Sequence, residues 1–202
     1  DKRANSNVTK DLEGGASIKV MFNKYYMNFY VTTFKDVRIY GSNKGELVQI
    51  FKNLRSHVLS DSDVRIRYFS FENRYRKFYL GYNNGAIQQF NSGNGSLIKR
   101  IGEHEEEKDG ITIVKHDHSG DLNFIYFHIF ESKEKNQEVL ITTSTDSIIN
   151  VYDENDPEES EKFRSLRGGH KVGERNNQIL CMDFSQYLNL MATGSTDGLV
   201  TV

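Results

Sequence analysis

The chain repeats itself, and this repeat restricts its possible folds more than any other feature of the sequence. Residues 178–202 (QILCMDFSQYLNLMATGSTDGLVTV) align with residues 18–40 (IKVMFNKYYMNFYVTTFKDVRIY). In both, an alternating apolar segment ends at Phe184 or Phe22, a polar turn follows, and a second apolar segment covers 190–195 or 29–34. A tight turn then falls at Asp197 or Asp36, before a third alternating segment. Two more copies lie between. One has segments 64–71, 78–82 and 86–90 around the turn Asn83-Asn84-Gly85, and the other has 123–130, 139–144 and 148–152 around Asp146-Ser147. A fourth short segment follows in each complete copy, at 46–51, 97–101 and 162–166. Alternation of apolar and polar residues is the pattern of a half-buried strand, so the unit reads as four short antiparallel strands. The 13 Phe, 11 Tyr and single Pro favour strands in the same direction.

The turn residues Asp36, Asn84, Asp146 and Asp197 are 48, 62 and 51 residues apart, a period near fifty with one expanded copy. The expansion lies in two charged stretches, 103–109 and 131–138, expected to be exposed insertions between strands. Histidines give a second register. His57, His104 and His170 each follow a fourth strand, and both His57 to Asn84 and His170 to Asp197 span 27 residues. An imidazole N–H donated to a carboxylate in the tight turn would tie the incoming loop to its sheet. His104 with Asp146 and His170 with Asp197 are the expected clasps, and His57 and Asn84 hold the same places in their copy. Tyr40, Phe90 and Tyr152 are expected to pack between neighbouring sheets.

In this order of residues the chain resembles the WD-repeat family. Gly169-His170 and the GSTDG run at 194–198 match its motifs, and Tyr152-Asp153 matches its Trp-Asp dipeptide with Tyr for Trp. Tyr40-Gly41 and Phe90-Asn91 match only in aromaticity. The resemblance covers residues 18–202 and implies an all-β β-propeller fragment with blades at about 17–56, 57–103, 104–168 and 169–202. Three are complete, and the fourth is partial because residue 202 falls within its third strand. A closed ring needs about four to eight blades, so the remaining blades are expected from the same longer polypeptide. Residues 1–16 lack apolar periodicity and are expected to be a flexible lead-in.

The resemblance further implies a non-enzymatic scaffold for protein–protein interactions in a large intracellular assembly. Degenerate WD repeats with charged insertions are similar to those of large ciliary and flagellar proteins, which gives an expected cytoplasmic and cytoskeletal location, the axoneme. Lys plus Arg total 26 against 28 for Asp plus Glu, a net charge of -2 that argues against a nucleic-acid or anionic-membrane binder. No apolar stretch approaches the ~18 to 20 residues of a spanning helix. The single cysteine, Cys181, has no internal partner for a disulfide, and a reduced, soluble setting is expected. It sits beside Leu180 and Met182 on an alternating segment and reads as an inert core thiol.

Several residue groups could carry chemistry. His116-Asp117-His118, with Asp121, has i and i+2 ligands that would face one way on a strand. With no Cys or further His in fixed relation to it, a solvated loop is favoured over a metal site. Residues 153–159 (DENDPEE) begin like a calcium loop, but Pro157 and the missing turn Gly favour an acidic hairpin turn. The run 64–79 would put Arg65 and Arg67 on one strand face, with Arg74, Arg76 and Lys77 beyond the turn. Its functional reading is docking of an acidic partner or a nucleic-acid backbone, and its bland reading is a solvated strand face. Asn7-Val8-Thr9 and Asn94-Gly95-Ser96 fit the glycosylation pattern and are expected to be unmodified loops. A second function class, a propeller enzyme or small-ligand module using the central channel, needs titratable groups converging from the first strands. Those strands offer Lys19, Arg67, His128 and Asp183, which form no recurring acid–base set. No catalytic, cofactor-binding or metal residue is assigned, and no cofactor is expected.

Overall fold

The computed structural model describes residues 16–54, 63–131, 133, 135–156, 159–166 and 178–202, whose regular secondary structure is almost entirely antiparallel β-sheet. The first sheet comprises β1 (Ser17–Asn23), β2 (Asn28–Thr33), β3 (Val37–Gly41) and β4 (Leu47–Phe51). The second comprises β5 (Ile66–Phe71), β6 (Lys77–Tyr82), β7 (Ile87–Asn91) and β8 (Leu97–Ile101). A separate hairpin, β9 (Glu103–Lys108) and β10 (Ile111–His116), precedes the third sheet. That sheet holds β11 (Leu122–Phe130), β12 (Gln137–Ser144), β13 (Ile149–Asp153) and β14 (Glu161–Leu166). The last contains β15 (Ile179–Ser185), β16 (Leu190–Ser195) and β17 (Val200–Thr201). Every strand pairs with its neighbour in sequence, and none of the five sheets closes on itself.

The repeat extends to individual atoms. A register shift follows the opening residue of the first strand in each of the four larger sheets, at Ser17/Lys19, Ile66/Tyr68, Leu122/Phe124 and Ile179/Cys181. Such bulges bend a strand and increase its twist. In the turn between second and third strands, the side-chain oxygens of Asn84, Asp146 and Asp197 accept the N–H two residues ahead at 3.2, 2.9 and 2.9 Å. The following residue is left-handed each time: Gly85 (φ 86°), Ser147 (φ 67°) and Gly198 (φ 79°). The residue before each turn closes back on the start of the first strand. The N–H groups of Asn83, Thr145 and Thr196 donate to the carbonyls of Arg65, Asp121 and Gln178 at 3.1, 3.0 and 3.0 Å. The side-chain oxygens of Asn83, Thr145 and Thr196 return the bond, accepting the N–H of Arg65, Asp121 and Gln178 at 2.8, 3.0 and 2.9 Å.

The sheets stack face to face because alternate residues of the inner strands serve opposite neighbours. Along β6, Phe78, Leu80 and Tyr82 join a core with Tyr30, Ile39 and Phe51 of the first sheet, whereas Tyr79 joins Leu122, Ile125 and Leu140 of the third. Along β12, Leu140 faces the second sheet, and Val139 and Ile141 pack with Ile179 and Met182 of the last. Phe90 and Tyr152 are fully buried in the first and second of these cores, and Tyr40 is buried at 8 % exposure. The first strands touch in the order β1, β5, β11, β15. Most exposed large apolar side chains lie on the two outer sheets, among them Val20, Phe29 and Val48 on the first and Leu180, Leu190 and Val200 on the last.

The stretch 103–109 is an exposed insertion between the fourth strand of one sheet and the first of the next, and within it Glu103–Lys108 forms β9, paired residue by residue with β10. One expectation changes here. Cys181 is exposed rather than in the core. The bulge at Ile179/Cys181 gives the covered face to Ile179 and Met182. Residues 1–15, and with them most of the expected lead-in and Asn7, lie outside the described residues, as do His57, Pro157, Gly169 and His170.

Candidate functional site

The most elaborate polar cluster forms where the β9–β10 hairpin hands over to β11. His118 is 1 % exposed. Its Nδ1 lies 3.0 Å from Asp146 Oδ2, and its Nε2 lies 2.8 Å from Thr142 Oγ1 and 3.2 Å from Asn150 Nδ2. An amide nitrogen only donates, so Nε2 accepts, and the ring proton sits on Nδ1, where it is donated to the carboxylate. Asp146 also accepts the N–H groups of Ser119 and Ile148, both at 2.9 Å. Burial works to raise the Asp146 carboxyl, but the hydrogen bond from His118, with these two N–H groups, holds it below its ordinary value.

This arrangement corrects the expected His104–Asp146 clasp. His104 lies 3.0 Å from Asp117 and is largely exposed, and His118 takes the place at Asp146. The inserted hairpin separates the fourth strand from the clasping histidine, so the first histidine after that strand is the wrong one. The signal was present in the spacing. Counting back from Asp146 the 27 residues seen in two other copies ends at Ser119, one residue from His118. A glycine secures the approach of this segment to the second sheet. A Cβ on Gly85 would lie 1.9 Å from the His118 carbonyl oxygen, at a φ of +86°.

Asp117 anchors the base of the hairpin. Its side chain is 5 % exposed, and Oδ1 accepts from Lys162 Nζ of β14 at 2.5 Å while facing His104 Nε2. Burial raises its carboxyl, and the bonds to Lys162 and His104 outweigh this and bring it below the ordinary value. Arg100 at the end of β8 pairs with Glu103 at 3.3 Å. The run 116–118 is therefore neither a solvated loop nor a shared ligand set. His116 is paired in β10, Asp117 holds Lys162, His118 holds Asp146, and Asp121 binds Arg67 at 2.9 Å. Among the described residues no group of three His, Cys, Asp or Glu side chains is placed to hold a metal ion.

The five basic residues of 64–79 do not form one free face. Arg65 pairs with Asp63 at 2.8 Å, Arg67 with Asp121 at 2.9 Å, and Arg74 approaches Glu138 at 4.0 Å. Arg76 lies 4.8 Å from the centroid of the Tyr25 ring, and Lys77 is half-buried at the start of β6. The acidic stretch 153–159 supplies an inward carboxylate that sequence reasoning missed. Glu154 is buried and pairs with Lys99 of β8 at 3.1 Å, while Tyr79 and Gln89 donate to the same oxygen at 3.1 Å each. Ser160 Oγ donates to the other oxygen. The Lys99 ammonium also donates to the carbonyls of Asp156 and Glu159 at 3.0 and 3.3 Å. The oxygen cluster that looked like a calcium loop in sequence is thus organised around an ammonium. Burial, then the Glu154 charge, pushes the Tyr79 phenol well above its usual range, so it stays a donor.

The titratable residues of the first strands do not converge. Lys19 lies over Tyr68, Arg67 is held by Asp121, and His128 is buried among aromatic rings. Asp183 is exposed and accepts the N–H of Phe184 at 2.9 Å. Comparison with protein-family models and with curated proteins finds no match for this chain, so the reading of its site rests on its own geometry.

Proposed function

We propose that the chain is part of a WD-repeat-like β-propeller acting as a non-enzymatic scaffold for protein–protein contacts in a large intracellular assembly. One observation carries this reading: a β-meander recurs with the same bulge in its first strand, the second, third and last copies share the turn bond and a left-handed residue after it, and the first strands lie side by side. Units of this kind, stacked around an axis, are the blades of a propeller. The blades fall at about 17–56, 57–103, 104–168 and 169–202, and the rest of the ring comes from the same longer polypeptide. Those further blades cover the apolar residues exposed on the first and last sheets.

The buried imidazole and carboxylates support structural roles, because each has a partner within the fold. The β9–β10 hairpin is the partner-facing element. It presents Glu105, Glu106 and Glu107 with the exposed Ile111, and most of its side chains lie outside the core clusters. A cytoplasmic position on the axoneme of a cilium or flagellum belongs with this reading. Among the described residues no helix is long and apolar enough to cross a membrane. Affinity purification of the full-length protein tests the scaffold reading. Stable protein partners are expected, and Glu105→Gln/Glu106→Gln/Glu107→Gln should reduce recovery of at least one of them. An eluate no different from a mock purification would remove the scaffold reading. Fluorescence imaging of the tagged protein tests the location separately.

A further inference from the structure

The first strands β1, β5 and β11, with the β5–β6 turn and Gln186 beyond β15, line an open cleft of about 310 Å3 that none of the clasps uses. Lys19 projects from β1 into it, with Nζ 3.9 Å from the centroid of the Tyr68 ring. No described residue forms a salt bridge or hydrogen bond with this ammonium. Loss of water around it brings its pKa down to about 8, so it remains mostly charged at neutral pH. A half-buried charge without a counter-ion is costly, and an anion entering the cleft relieves that cost.

The walls define the rest of the ligand. Tyr68 and Phe124 have centroids 5.4 Å apart, and Phe124 and Tyr126 are 6.2 Å apart with an interplanar angle of 29°. These three rings line the cleft and are only half-buried, so part of each is open to it. The Tyr68 phenol is pushed up to about 12 by burial and stays neutral. Glu72 is the one acidic residue of the lining, and its Oε1 already accepts the N–H of Arg76 at 3.2 Å. A single cation suits a monoanion rather than a polyphosphate, and the volume lies at the small end of the ~300–1,000 Å3 range of ligand pockets.

We propose that this cleft binds a small planar aromatic monoanion, its ring packed against the aromatic wall of Tyr68, Phe124 and Tyr126 and its carboxylate paired with Lys19. This inference is independent of the scaffold reading. The test is a calorimetric titration of the full chain at neutral pH with 2-naphthoate and with its uncharged isostere 2-naphthamide. Naphthoate should bind at least about tenfold tighter, the contribution of one hydrogen bond to a charged group. Lys19→Met should erase this preference and Lys19→Arg should keep it. Saturating naphthoate should also protect Lys19 of the unaltered protein from acetylation by acetic anhydride, read by mass spectrometry, which keeps the test valid if a variant fails to fold. Equal affinity for the two probes, a preference that survives Lys19→Met, or unchanged acetylation of Lys19 would each overturn the proposal.

Discussion

An imidazole whose two nitrogens are both engaged inside a sheet is part of the framework, and His118 is predicted to behave as one. Asp146→Ala leaves the Nδ1 proton and two backbone N–H groups without an acceptor, at an expected cost of about 2–3 kcal/mol in a urea titration. His104→Ala, at the largely exposed pair, should cost under about 1 kcal/mol. Equal losses would return the clasp to His104. Acid dependence follows with a definite sign. The folded Asp146 carboxyl titrates below the unfolded value of about 3.9, so its contribution is complete above that pH and is lost as pH falls through the lower folded value. Urea midpoints from pH 7 to pH 3 should therefore fall less steeply for Asp146→Asn, with Asp117 supplying the remaining slope in the same direction. Superimposable slopes would contradict this. The turn position of Asp146 was legible because the local Asx bond needs only neighbours in sequence. The identity of its partner was legible only in the spacing back from Asp146, since an inserted hairpin moves the histidine away from the fourth strand without altering the turn.

At the scale of strands and turns, two substitutions separate local conformation from packing between sheets. Gly85→Ala meets both a left-handed backbone and the His118 carbonyl, and should destabilise by about 2 kcal/mol or more. A neutral outcome would mean that the second and third sheets do not approach as described. Lys99→Met leaves the Glu154 carboxylate buried without its cation, for an expected loss of about 3–5 kcal/mol. Lys99→Met/Glu154→Gln should recover much of it, and a double variant as weak as the single one would show that the pair does not act as a unit. The strands of the four main sheets were readable because each has a covered face and so an alternating pattern. β9 and β10 were not. They pair only with each other, EHEEEK has no apolar alternation, and Ile111 and Ile113 remain exposed. Glu154 was hidden for a related reason: it lies among acidic loop residues, and only the folded chain brings Lys99, 55 positions earlier in the sequence, to its side.

For the whole molecule, the three apolar cores come from one rule applied repeatedly, with alternate residues of β6 and β12 serving the sheets on either side. That much follows from the fifty-residue repeat. The rotation from one sheet to the next does not, because it depends on bulges and side-chain volumes that a periodic pattern leaves open. The apolar exposure on the two outer sheets is where the account reaches furthest. Cryo-electron microscopy of the full-length polypeptide is the direct test. The account predicts a closed ring with β1, β5, β11 and β15 innermost, further blades over Val20 and Leu180, and His118 on Asp146. An open row of sheets with no common axis, or His118 away from Asp146, would contradict it.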